Sequence, residues 1–263
     1  MNIINLSSQH EPLYYCCLED WSDEIKGAGN HKELWYNNQK DKGIRVKLAM
    51  NDEGTIGGMI QYMPIEHTFI QGNDLYVILC IWVHGYKKGR GNFQKRGMGK
   101  ALLEAAENDV KTIDSKGIVA WGISLPFFIR ASWFKKHGFE VVDKDGIIRL
   151  LWKPFSKDAQ KPSLIKQKKS PDKIDGKVNI SLFKNGWCPA QNLVYERAKR
   201  AISEFEDKVV VNEYDTTDRS ILNEWGISDA LFIDNKKVRT GPPPSFETIQ
   251  KKIRRKVKKL KIN

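Results

Sequence analysis

The sequence predicts an α+β protein built as two units, a larger domain of mixed strands and helices followed by a smaller α/β domain. Three observations carry this. Residues 75–83 form an almost unbroken apolar run, the pattern of a buried strand. It is followed closely by a glycine-bearing turn and by Ala101-Leu102-Leu103-Glu104-Ala105-Ala106-Glu107, a run of strong helix formers. From 156 to about 175 the chain turns rich in Lys, Pro and Ser with few apolar residues, and at 178–183 an alternating strand restarts.

Taken in order, 2–6 reads as a strand and 11–39 as helical material. Strands follow at 45–50 and 55–62, joined by Asn51-Asp52-Glu53-Gly54 as a hairpin turn. The buried strand 75–83, the helix after the glycine turn, a strand at 118–123, a short helix at 131–136 and closing strands complete a first domain, 1–155. Residues 156–175 are the basic linker. The second domain, 176–263, starts with strand 178–183, then a helical stretch 192–205, strand 208–214 and a short helix at 219–225. A hairpin with Asp234-Asn235 at its turn precedes a last helix that begins near Ser245, after Pro242-Pro243-Pro244. No internal repeat relates the two halves.

Composition narrows the class. The 263 residues carry 40% hydrophobic and 29% charged side chains, ordinary for a globular protein with a real core. No apolar run approaches a membrane span and the start of the chain shows no secretory pattern, so a cytoplasmic location is expected. Four cysteines, two of them adjacent (Cys16 and Cys17), have no zinc or disulfide spacing, and no metal is expected. The net charge of +12 is local. The last thirteen residues hold eight Lys or Arg and no acid, and 156–177 holds seven Lys against three Asp, which leaves the remainder formally neutral. Charge on a linker and a tail is a poor indication of nucleic acid, which is not expected as a partner.

The turn Gln94-Lys95-Arg96-Gly97-Met98-Gly99-Lys100 lies between strand and helix, where unbonded N–H groups and the helix dipole favour an anion. Gly97 and Gly99 allow a phosphate close to the backbone, and Lys95, Arg96 and Lys100 add charge. The turn is neither G-x-G-x-x-G nor G-x-x-x-x-G-K-[ST]. It matches Gln/Arg-x-x-Gly-x-Gly/Ala, and with Trp133-Phe134-Lys135-Lys136-His137-Gly138-Phe139 downstream the first 155 residues resemble the GNAT superfamily of N-acetyltransferases. That resemblance implies a GNAT fold and transfer of an acetyl group from acetyl-CoA (coenzyme A) to a small-molecule or peptide amine. It implies further that Ile81, Trp82 and Val83 border the thioester and pantetheine arm, that Gln94, Lys95, Arg96, Gly97, Met98, Gly99 and Lys100 hold the pyrophosphate, and that Phe134 lines the coenzyme.

Two departures from the family pattern stand out. Residues 84–93 are a longer link than usual, whose Lys87, Lys88 and Arg90 either cover the phosphates, reach the 3′-phosphate or form a solvated loop. Phe134 stands where many members have a tyrosine that protonates the departing thiolate, which leaves water, Ser132 or Tyr86 for that step, or a thiolate that departs unaided. General acid catalysis is worth about 10²–10⁴-fold. The candidate bases are His84 and Glu66, by the proton-accepting chemistry of imidazole and carboxylate. Trp121, Phe127, Phe128 and Trp133 are candidates for an acceptor cleft. A coenzyme A-binding, thiol-based sensing protein without turnover is the competing reading.

In the second domain, Trp187-Cys188-Pro189 after the first strand, together with the element order, resembles a thioredoxin fold of the YoaP-like kind. Gln191 stands where a resolving cysteine is expected, and Ile227-Ser228-Asp229-Ala230 lacks the usual cis-proline, so Cys188 is at most a single reactive thiol. Phe246, Ile249, Ile253, Val257 and Leu260 mark one face of the last helix, and Lys and Arg the other. That helix either packs on the sheet with a solvated basic face or meets an anionic membrane or nucleic acid.

Overall fold

The computed structural model describes residues 1–125, 129–238 and 242–260. Its elements run β1 (Asn2–Asn5), α1 (Glu11–Tyr15), α2 (Asp23–Lys26), α3 (His31–Gln39), β2 (Arg45–Met50), β3 (Ile56–Pro64) and β4 (Ile70–Gln71). Next come β5 (Tyr76–Val83), α4 (Met98–Lys111), β6 (Gly117–Ile123), α5 (Ala131–Lys136), β7 (Glu140–Asp145), β8 (Ile148–Pro154) and β9 (Ser163–Leu164). The remainder is β10 (Val178–Lys184), α6 (Pro189–Ile202), β11 (Val209–Asp215), α7 (Arg219–Trp225), β12 (Ala230–Ile233), β13 (Lys236–Lys237) and α8 (Phe246–Lys259). They form two compact units, Met1–Trp21 with Asn38–Ile165, and Ser22–Asn37 with Lys166–Asn263. A piece of the N-terminal region thus belongs by its contacts to the second unit. Glu24 accepts from Arg197 Nη2 (2.6 Å), and His31 Nε2 meets Glu196 Oε1 (2.6 Å).

The first unit is a seven-stranded sheet in the order β1-β2-β3-β5-β6-β8-β7, with β5 and β6 its parallel pair. The β2–β3 hairpin turns at Asn51, whose N–H donates to Thr55 O and whose side chain accepts from the Thr55 N–H (2.7 Å); Gly54 supplies the left-handed residue at φ 80°. Along α4, Leu102, Leu103, Ala106 and Val110 recur at helical spacing and are buried against Ile60, Tyr62, Ile78, Ile118 and Ala120 of the sheet. Each large side chain buried this way contributes about 1.5–3 kcal/mol. Asp109, on the same helix, accepts from the Tyr62 hydroxyl (2.6 Å) and pairs with Arg45 (3.2 Å) and Lys47 (3.3 Å), which fixes α4 along β2 and β3. Burial, with Asp109 as acceptor, drives the Tyr62 phenol well above its ordinary value.

The second unit holds a four-stranded sheet in the order β11-β10-β12-β13, with β10 parallel to β11 and antiparallel to β12. Val178, Ile180 and Leu182 face α6 and α8, whose Tyr195, Ala198, Ile249, Ile253 and Val257 close that core. The next residue along, Phe183, points to the opposite face with Trp225 and Phe232, as strand alternation requires. Helix α6 starts at Pro189, earlier than the 192 that the sequence suggests, because Pro at N1 needs no N–H partner. The Lys-rich stretch after 156 is also held. β9 pairs with β4, Leu164 N–H donates to Asp143 Oδ2 (2.9 Å), and Lys168 N–H donates to Trp225 O (2.9 Å). None of the helices among the described residues is long and apolar enough to cross a membrane.

Candidate functional site

A register shift creates an opening in the first sheet. Opposite β3, Gln61 pairs with Cys80 but Tyr62 pairs with Ile78, so Leu79 is an extra residue that bends β5. The ladder between β5 and β6 consequently stops at Ile78–Ala120, and the strands part. Trp121 Nε1 donates to Leu79 O (3.0 Å) where the gap begins. Beyond it, Ile81, Trp82 and Val83 run along the gap with no β6 partner for the backbone groups facing it. Ile81 and Val83 pack on the α4 side of the sheet.

The expected anion turn lies at the end of that strand. Lys95 (φ 62°) and Gly97 (φ 84°) are both left-handed, and Gly97 is the N-cap of α4 without a side-chain cap. Among the described residues, none accepts from the backbone N–H groups of Lys95 to Lys100; the first to be bonded is Ala101, to Gly97 O. A Cβ on Gly97 would meet nothing within 4 Å, whereas one on Gly99 would meet Trp133 Cζ2 at 3.5 Å and Val83 Cγ2 at 3.7 Å. The first turn of α4 is therefore open on its outer side and packed on its inner side. Lys95, Arg96 and Lys100 are exposed; Arg96 lies over the Phe93 ring (5.5 Å) and Lys100 reaches Glu104 (3.6 Å). The Gln94 side chain covers Gly85, and Met98 is buried in the core.

The long link between β5 and the turn is anchored by one histidine. Phe93 N–H donates to His84 O (2.9 Å), and His84 N–H donates to Gly57 O (2.9 Å). The ring is fully buried. Nδ1 meets Gly91 O at 2.7 Å, so it carries the proton, and Nε2 accepts from the Trp21 indole N–H at 2.9 Å. Trp21 in turn lies against Gly89, where a Cβ would be 2.1 Å from its ring. Arg90 pairs with Asp20 at 3.5 Å, while Lys87 and Lys88 are exposed. Nothing in the sequence signals Trp21, which lies 63 residues from its partner.

His84 and Glu66 are not brought together. Glu66 lies beyond the end of β3 that pairs with Tyr76, exposed, with its carboxylate accepting from Asp74 N–H (3.0 Å). His84 follows the other end of β5, about 23 Å away at the usual rise per strand residue. Phe134 is buried in the core among Trp133 (5.1 Å) and Phe139 (5.4 Å). Ser132 is exposed on α5, and Tyr86, 48% exposed, lies near Trp21, Trp82 and His84 with ring centroids 5.5–6.4 Å apart. Trp121 and Trp133 flank the gap and the helix start as described, and Phe127 and Phe128 lie outside the described residues.

In the second unit, Cys188 is the half-buried N-cap of α6, its carbonyl accepting from Gln191 and Asn192 N–H (both 3.0 Å). Asp229 faces the same loop. It accepts from Asn185 N–H (3.1 Å) and from the Ser228 hydroxyl (2.7 Å), and burial holds its carboxyl above the ordinary 3.8 despite those bonds. Among the described residues, no group of three His, Cys, Asp or Glu is placed to hold a metal ion.

No protein-family model matches the chain, and no curated protein sequence is similar to it. Solved structures are similar in part. An acetyltransferase of the GNAT family from Staphylococcus aureus Mu50 is 19% identical, with 59% of this chain and 99% of that one covered and a TM-score of 0.43. The PaiA N-acetyltransferase from Thermoplasma acidophilum, in complex with coenzyme A, is 20% identical over 59% and 100%, with a TM-score of 0.44. The ribosomal-protein-S18-alanine N-acetyltransferase from Escherichia coli is 14% identical over 60% and 96%, with a TM-score of 0.41.

Proposed function

We propose that the first unit is a GNAT-type N-acetyltransferase that takes acetyl-CoA as donor and an amine as acceptor. The observation that carries this reading is the continuity of two features: a gap beside Ile81, Trp82 and Val83, and, at the end of the same strand, the open helix start at Lys95–Lys100. A ligand with a pyrophosphate at one end and a long amide-bearing arm suits both together. Six neighbouring N–H groups with no acceptor among the described residues and three exposed cations meet the phosphates, and the edge of β5 meets the arm.

In the reaction, the nitrogen lone pair of a neutral amine attacks the thioester carbonyl, the C–S bond breaks and coenzyme A leaves as thiolate. The amine gives up one proton and the thiolate gains one. His84 adjoins the gap, and its Nε2 becomes a proton acceptor only on release of Trp21; Glu66, at the far end of β5, is outside direct reach of that chemistry. Phe134 has no proton to give, so the thiolate leaves unaided or takes one from water, Ser132 or Tyr86.

The second unit is proposed to be thioredoxin-like, on its β11-β10-β12-β13 order and the cysteine capping α6. With Gln191 in place of a second thiol, it acts through Cys188 alone if it acts by thiol chemistry.

Steady-state release of free coenzyme A from acetyl-CoA, measured over a panel of small amines and peptide N-termini, tests the reading. Amine-dependent release that falls at least about 10²-fold in His84→Gln supports transfer with His84 as base. Tight acetyl-CoA binding without release for any amine supports the competing role, a coenzyme A-binding protein without turnover.

A further inference from the structure

Helix α8 carries a line of positive charge that the fold leaves unanswered. Its apolar side is spent inside the protein: Ile249, Ile253 and Val257 are buried against β10 and α6, with Phe246 and Leu260 packed partly beside them. Two of its cations are matched, Lys256 by Asp234 (2.6 Å) and Arg254 by Glu204 (3.6 Å). Five are not. Lys251, Lys252, Arg255, Lys258 and Lys259 are exposed and have no carboxylate within ion-pair distance among the described residues. The helix's one acid is Glu247, in the first turn.

The five lie on one side of the helix. At 100° per residue they fall within an arc of about 120°, opposite Ile253, and the line from Lys251 to Lys259 is about 12 Å long. Such a row repels itself, so the isolated helix gains nothing from it. Exposed Lys236, on the hairpin that the Lys256–Asp234 pair ties to the helix, adds a sixth cation without a carboxylate partner among the described residues.

We propose that the outer face of α8 is a docking surface for the phosphodiester backbone of a nucleic acid, without base specificity. Two alternatives fit less well. An amphipathic helix lying in a lipid surface sinks its apolar side into the bilayer, and here that side is already closed in the core, which leaves an anionic bilayer only the attraction of its surface charge. A protein-docking helix needs apolar anchors among its exposed residues, and this face has none. What remains is a rigid row of cations, two of the positions offering long guanidinium or ammonium arms per turn, matched in kind to a strand of regularly spaced phosphates.

The test uses the whole 263-residue chain and fluorescence anisotropy with a labelled 20-nucleotide oligouridylate and a labelled 20-base-pair DNA duplex. Across 50–200 mM salt, the logarithm of the binding constant should fall linearly with that of the salt, with a slope of about −3.5 for the single strand and about −4.5 for the duplex if all five cations engage. The variant Lys251→Gln/Arg255→Gln/Lys258→Gln should lose about 2 units of slope on the single strand and about 2.7 on the duplex, and bind at least about tenfold more weakly at 50 mM salt. Its circular dichroism should match the wild type, since the three side chains are exposed and make no ion pair among the described residues. A second variant, Lys40→Gln/Lys42→Gln, removes exposed charge elsewhere and should bind as the wild type does. Absence of binding at 50 mM salt overturns the proposal, and so does a triple variant with an unchanged slope. Vesicles containing phosphatidylserine that bind more tightly than either nucleic acid overturn it in favour of a lipid partner.

Discussion

A methyl group on Gly57 would lie 2.5 Å from the Phe93 ring, closer than packed atoms tolerate, and Phe93 is what closes the loop back onto His84. Gly57→Ala is therefore expected to lower stability by about 1–3 kcal/mol, read by urea denaturation, through displacement of that ring. His84 illustrates why single residues resist reading from sequence. Imidazole chemistry makes it a base, but its two ring nitrogens are held by Gly91 and Trp21, and neither partner is visible until the chain is folded. Asp229 offers a separate check. Burial raises its folded pKa, so its favourable contribution is complete below 3.8 and is lost as pH rises through the raised value. Asp229→Asn removes that loss. Relative to the wild type the variant should be more stable at pH 7 than at pH 3, and equal differences at the two pH values would show that burial does not perturb this carboxyl.

Among elements, those with strong local signals were legible. The apolar run at 75–83 is β5, the Asn51–Gly54 turn joins β2 to β3, residues 131–136 are α5, and Ser245 caps α8 with its hydroxyl accepting from Thr248 N–H (3.3 Å). The start of α4 was legible too, since glycines and helix formers announce it. The gap beside β5 was not. It depends on Leu79 being an extra residue against β3, and bulges of this kind arise from pairing between distant segments, with no glycine to mark them here. The contacts of 22–37 with the second unit were equally hidden, resting on pairs such as His31 with Glu196. Because α4 is seated by buried leucines, Leu102→Ala should cost about 2–5 kcal/mol of stability by thermal or urea unfolding. A loss under about 0.5 kcal/mol would mean that the helix is not packed as described.

For the molecule as a whole, the excess positive charge is confined to the stretch after 156 and to the last helix, and the rest of the chain is formally neutral. The sequence located the excess charge, and the fold shows that on α8 it is aligned on one face with few internal partners. In the other unit, the proposed function requires that the start of α4 and the gap beside β5 hold one coenzyme. Calorimetric titration with acetyl-CoA tests it most directly, on the wild type, Gly97→Ala and Gly97→Glu. Alanine carries the strain of a left-handed φ without charge, and glutamate adds a carboxylate where the phosphates would sit. Saturable one-to-one binding is expected in the wild type, modest weakening in Gly97→Ala and loss in Gly97→Glu, with all three folded by circular dichroism. Equal affinity in the wild type and Gly97→Glu, or no heat in any of them, would contradict it.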